Sequence, residues 1–201
     1  MVITKVVDSK LIISSKGLTK IIGNVDFDNI TESSGIYGNS VDVAGNIKVA
    51  NSGYETDFIA SDGSIKFGSL KLDNNKDATT SSNLTTKVGA TNGNIEASST
   101  ISVINSDIVM GTQQTGDIKL NTLGAITDTA FDLDGGKATI VADGNLDING
   151  NVAITNITGE TLLQGKTISA GDLLIHDNQE KINFVSTDGD ISTNIISLRN
   201  N

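Results

Sequence analysis

Apolar and polar positions alternate along this chain in short bursts, each opened by a turn residue. The clearest burst is Gly144-Asn145-Leu146-Asp147-Ile148. Six more follow its form, beginning at Gly45, Gly63, Gly93, Gly116, Gly171 and Gly189. The residue after glycine is always Asn, Asp or Ser, and the next is always Ile or Leu. Glycine and its polar neighbour suit a corner. The third and fifth positions then point to one side of a strand and the fourth to the other. One face is buried and one is wet.

The seven glycines are spaced by 18, 30, 23, 28, 27 and 18 residues, a mean of 24. Further strand-like pieces lie between them: 70–72, 101–104, 138–141, 152–154 and 195–198. Two or three strands per 24 residues fit one coil of a solenoid, with loops absorbing the variation. The expected fold is therefore all-β, a single parallel β-helix of about eight coils over residues 1–201. Stacked at about 4.8 Å, those coils give a rod of roughly 40 Å. Ile47, Ile65, Ile95, Ile118, Leu146, Leu173 and Ile191 are expected to form one inward ladder. The first segment, Val2 to Ile22, also reads as strands and turns.

Asn149-Gly150 poses a rival reading. Between two alternating runs this dipeptide is a strong hairpin signal. A hairpin would pair 146–148 with 151–154 and lead to an antiparallel sandwich or meander. The corner reading accounts for this site and for the other copies together.

Composition sharpens the picture. The chain has 26 Ile, 21 Gly, 21 Asn and 19 Asp, but no Pro, Cys or Trp. Its core is aliphatic, and its turns use residues that tolerate left-handed backbone angles. A net charge of −10 with a single Arg, Arg199, offers no basic cluster for nucleic acid. The same balance argues against an anionic membrane surface, and the short apolar runs cannot insert across a bilayer. Lys and Asp interrupt the N-terminus where a signal peptide keeps an apolar segment. The chain thus reads either as cytoplasmic or as part of something longer, and no helical cap is evident at either end. The polar stretch 73–87 lacks periodicity and is expected to project as a loop, with contact as its functional reading.

Over 116–154 the chain resembles the repeat region of filamentous haemagglutinin-type adhesins. Gly116-Asp117-Ile118-Lys119-Leu120, Gly124-Ala125-Ile126-Thr127-Asp128 and Gly136-Lys137-Ala138-Thr139-Ile140-Val141-Ala142 carry the likeness, with Ile168-Ser169-Ala170-Gly171-Asp172-Leu173 beyond them. The likeness is good over about 116–198 and weaker over 36–115. These motifs are also similar to autotransporter passenger regions. The resemblance implies a right-handed parallel β-helix in a bacterial surface or secreted exoprotein used in attachment. It also implies export through an outer-membrane secretion pore and a host-cell surface protein or glycan as partner. The family's Asn-Pro secretion motif is missing, since the chain has no Pro.

Chemistry is sparse. Glycan-active β-helices need grouped carboxylates with a cationic group. Asp132 and Asp134, and Asp188 and Asp190, are the candidate acids, although Asp-x-Asp-Gly and Asp-Gly-Asp are ordinary turn sequences. Asp132-Leu133-Asp134-Gly135 begins like a calcium loop but lacks its later acids. Gly135-Gly136-Lys137 lacks a phosphate-loop frame. His176 stands alone beside Asp177. Tyr37, Tyr54, Phe58, Phe67, Phe131 and Phe184 read as packing rather than a binding stripe. Thr127-Asp128-Thr129 is a single Thr-x-Thr and makes no ice-binding array. Asn29, Asn83 and Asn156 head glycosylation sequons. The sequence therefore predicts no catalytic, cofactor-binding or metal residue and no cofactor. The leading expectation is a non-catalytic shaft segment of an adhesin. The alternatives are a glycan-active enzyme and a remnant of a decayed adhesin gene.

Overall fold

A computed structural model describes residues 5–201; the part of the first expected segment before Lys5 lies outside the described residues. Strands of the inner coils mostly alternate, and Ile95–Ala97 and Leu146–Ile148 show it most simply, with buried ends and a middle residue turned outward. The strands pair only in parallel, and they form three sheets running the length of the molecule. The first sheet has nine strands and the other two have eight. Each coil contributes one strand to each sheet in turn, giving a β-solenoid of eight coils and no helix among the described residues.

Asn149-Gly150 is a corner. Leu146–Ile148 lies in the third sheet beside Ile118–Leu120, whereas Asn151–Thr155 lies in the first sheet beside Thr129–Asp134. The two runs never pair with each other, so the hairpin is excluded.

The core is three stacked ladders. The first sheet stacks Val25, Ile47, Leu70, Ile101, Phe131, Val152 and Leu173. The second stacks Ile36, Phe58, Val88, Met110, Ile140 and Leu163. The third stacks Val41, Ile65, Ile95, Ile118, Leu146 and Ile168. All of these side chains are buried. Phe27 and Phe58 meet edge to face across the interior, with ring centroids 6.2 Å apart.

The single expected ladder is thus two. Ile47 and Leu173 belong to the first sheet, and only Ile65, Ile95, Ile118, Leu146 and Ile191 share the third, where Ile191 is not inward but exposed on the last coil, with no coil stacked beyond it. The cause is a shared corner device. Where the chain passes from the third sheet to the first, the N–H of Asn46 donates to Asn24 Oδ1 at 2.9 Å. The N–H of Ser69 then donates to Asn46 Oδ1 at 3.0 Å. Where it passes from the second sheet to the third, Asp117 N–H donates to Asn94 Oδ1 at 2.9 Å. Asn145 N–H in turn donates to Asp117 Oδ1 at 2.8 Å. Both corners need a short polar acceptor just before an inward Ile or Leu. Glycine precedes it because the coils touch there: a Cβ on Gly45 would lie 2.6 Å from the carbonyl carbon of Gly23.

The remaining corner carries no glycine signature. Each first-sheet strand ends in one left-handed residue: Asp8, Asn29, Asn51, Asn74, Asn105, Gly135, Asn156, Asp177 and Asn200, with φ between 45° and 71°. Asn, Asp and Gly are the residues that tolerate this conformation. From Ile30 to Asn178 the next residue is buried, and at two coils it is Asn75 or Asn178; Asn201 takes the same place at the exposed end. Asn75 is buried and uses both ends of its amide: Nδ2 donates to Val49 O at 3.0 Å, and Oδ1 accepts Ser52 N–H at 3.0 Å. Asn178 repeats this with Ile154 O and Ile157 N–H.

Coils run from 21 to 31 residues between equivalent first-sheet positions. The long ones hold two insertions. Asp73 closes one strand and Thr85 opens the next, so the polar excursion spans 74–84 rather than 73–87. A second lies at 121–128, where Leu123 and Ile126 are exposed.

Candidate functional site

Polar residues in the 74–84 excursion fold it into a knob. Lys76 and Asn83 form an antiparallel bridge. Asp77 Oδ1 accepts the N–H groups of Thr79 at 2.8 Å and Thr80 at 2.7 Å, and the Thr80 hydroxyl at 3.1 Å. These bonds favour the charged carboxylate, so Asp77 titrates below the ordinary range. Ser81 takes a left-handed conformation to close the turn. The knob then leans over the following coils. Asn83 Nδ2 donates to Gly135 O at 3.0 Å and approaches Asp107 Oδ1 at 3.4 Å.

A polar notch of 430 Å³ remains between knob and rod. Lys76, Ser81, Ser82, Asn83, Lys137 and Thr158 line it, with the buried Asp107 carboxylate at its floor. Lys137 Nζ lies 3.5 Å from Asp107 Oδ2, and Lys76 makes no ion pair among the described residues. The notch offers hydroxyls, an amide, two ammonium groups and one carboxylate, donors and acceptors suited to a polyhydroxylated ligand.

A second cluster lies on the outward face of the second sheet. Asp57 and Lys87 are register neighbours, and Tyr37 Oη lies 3.4 Å from Asp57 Oδ2. The Tyr37 ring covers Gly35, where a Cβ would meet Cε2 at 2.7 Å. Burial raises the Asp57 carboxyl above its ordinary value, and Lys87 opposes the rise. Burial and then the Asp57 charge raise Tyr37. Lys87 pairs with Glu55 at 3.1 Å, and this contact chiefly raises the lysine. Beside this cluster, Gly89 and Gly111 stack in register and leave a groove of 330 Å³ walled by Ile59, Val109 and Val141.

The candidate acids are not brought together. Asp132 and Asp134 project from one strand in the sixth coil, while Asp188 and Asp190 sit in an exposed turn of the eighth. Burial, then the Asp134 charge, raises Asp132. Its register neighbours are Ser102 and Ala153, neither of them a cation. His176 stacks between Thr155 and Arg199 with Nε2 buried and, among the described residues, unpaired. Gly135 is a left-handed corner, and Gly136 packs on Ser106 O. Thr127 belongs to the 121–128 insertion and Thr129 to a strand. Phe58, Phe67 and Phe131 are core, but Tyr37 is outward and Tyr54 exposed.

The sequon asparagines have structural partners. Asn29 and Asn156 are left-handed corners whose amides donate to Asp8 and Asp134, and Asn83 anchors the knob. Among the described residues, no three His, Cys, Asp or Glu side chains gather to hold a metal ion. Sequence reasoning missed Asp57, Lys87, Gly89 and Gly111. The legible signal was a glycine inside two apolar strand patterns, Lys87-Val88-Gly89-Ala90 and Val109-Met110-Gly111-Thr112, which marks a close approach or a notch. No family model, curated protein or solved structure matches the chain.

Proposed function

We propose that the chain is a shaft segment of a bacterial surface adhesin, with the knob and its notch as a contact point for a host glycan. The observation that carries this reading is the unbroken stacking of all three sheets through every coil, including the two with insertions. A shaft needs length and stiffness, and a rigid solenoid supplies both while tolerating loops on its surface. The motifs at 116–154 support the bacterial exoprotein assignment. Protease treatment of intact source cells, followed by immunoblotting with antibody to this chain, tests it. A protease-sensitive band far above 20.9 kDa is expected. A protected band near 20.9 kDa would overturn it and favour a gene remnant.

A second reading, glycan cleavage, is favoured by one observation: Asp132 is half-buried, raised in pKa and adjacent to Asp134. Turnover on a panel of polyuronides and neutral glycans tests it directly.

A further inference from the structure

The chain has two Asn-Gly pairs, Asn92-Gly93 and Asn149-Gly150. Glycine leaves the following backbone nitrogen open to the asparagine side chain, and thermolability of asparagine follows from that chemistry. Attack needs a side chain free to swing, a backbone nitrogen free of acceptors and access for water. The fold treats the two pairs differently.

Asn149 is held on every side. Its Nδ2 donates to Asn121 O at 3.1 Å and to Gly124 O at 3.0 Å. Its carbonyl accepts Asn121 Nδ2 at 2.9 Å, and its N–H donates to Leu120 O at 3.1 Å. The nitrogen that would attack, Gly150 N, is committed to Ile148 O at 2.9 Å. Asn92 is exposed, and its amide has one partner, Asp62 Oδ1 on the preceding coil. Thr91 N–H and Asn94 N–H are bonded, but Gly93 N–H meets no acceptor among the described residues.

We propose that Asn92 is a site of spontaneous deamidation and that the fold protects Asn149 from the same reaction. Gly93 N forms a bond to Asn92 Cγ and gives up its proton. The Cγ–Nδ2 bond breaks, and the nitrogen leaves as ammonia. Water then opens the five-membered succinimide at either carbonyl, giving aspartate or isoaspartate. Water is the only co-reactant, and nothing is oxidised or reduced. The product places a carboxylate against Asp62, where an amide had donated. Isoaspartate also adds a backbone atom at a corner where Gly93 already rests on Gly63, an added Cβ falling 2.6 Å from its carbonyl carbon. Both changes loosen the join between the third and fourth coils.

The test is prolonged incubation of the folded chain at mildly alkaline pH, read by peptide mapping with isoaspartate detection. Conversion at Asn92 is expected to outpace Asn149 by on the order of tenfold or more, since several hydrogen bonds must break at Asn149. A parallel incubation in concentrated denaturant is expected to bring the two rates together. Equal rates in the folded chain, or faster conversion at Asn149, would overturn the proposal. So would an Asn92 that stays intact when folded yet converts in denaturant. Asn92→Gln is expected to retain its Tm through the incubation while the parent chain loses some. An equal loss in both would overturn the proposed effect on the coil join.

Discussion

Asn83 donates its side-chain amide to the carbonyl of Gly135, 52 residues further along the chain and 3.0 Å away. This bond ties the knob to a corner it does not adjoin in sequence. Asn83→Ala removes the donor and strands a part-buried carbonyl, so a loss of about 1–2 kcal/mol is expected. Limited proteolysis should cut within 76–82 faster in the variant, and a denaturant melt should report the stability change. Unchanged cleavage would mean that the Asp77 turn alone holds the knob.

The knob should also respond to acid. Asp77 is partly buried, and its carboxyl lies below the ordinary 3.8 because it accepts bonds from Thr80 and Thr79. A depressed carboxyl contributes order that is present above 3.8 and lost as pH falls through the lower folded value. Amide chemical shifts of Thr79 and Thr80 followed through an acid titration check this. Movement centred at or above 3.8 would contradict it.

Two glycine substitutions should part company. Gly45→Ala drives a Cβ to 2.6 Å from backbone atoms of Gly23, whereas Gly111→Ala meets only Val141 O at 3.7 Å. Gly45→Ala is expected to cost roughly 2 kcal/mol or more through coil displacement. Gly111→Ala is expected to be neutral or to stabilise by about 0.5–1 kcal/mol. It also fills the groove beside Val109, so any ligand bound there is lost without a loss of stability.

Asp132 separates the structural reading from the enzymatic one. Its carboxyl is raised by burial and by Asp134, so its contribution is greatest below 3.8 and falls as pH rises through the folded value. Asp132→Asn is therefore expected to raise Tm slightly at neutral pH. If the chain cleaves glycans, the same variant should lose turnover, since removing a strained catalytic group trades activity for stability. A lowered Tm would refute the electrostatic account.

The solenoid, its coil length and its Gly-Asn and Gly-Asp corners were legible because each depends on a local requirement repeated many times. The division of Ile47 and Leu173 from Ile65 and Ile95 was not. Two different corners solve the same problem with the same residues, so sequence spacing alone mixes them. The third corner was invisible for the opposite reason. Its requirement is a single left-handed residue, met by Asn51, Asn105 or Asp177 with no shared neighbours. The Asp57–Tyr37 contact also depends on register between coils, which no local pattern records.

Hydrogen bonds between coils lie along the long axis of the rod. A pull along that axis loads every junction alike, and an end coil, held by one neighbour where inner coils have two, peels first. Each coil released pays out 21 to 31 residues, or roughly 70–100 Å of extended chain. A rod only eight coils long becomes an extensible tether that lengthens in steps, with its left-handed asparagine corners marking where each step begins. Single-molecule stretching should show a sawtooth with one tooth per coil, the longest belonging to the coils that carry the two insertions.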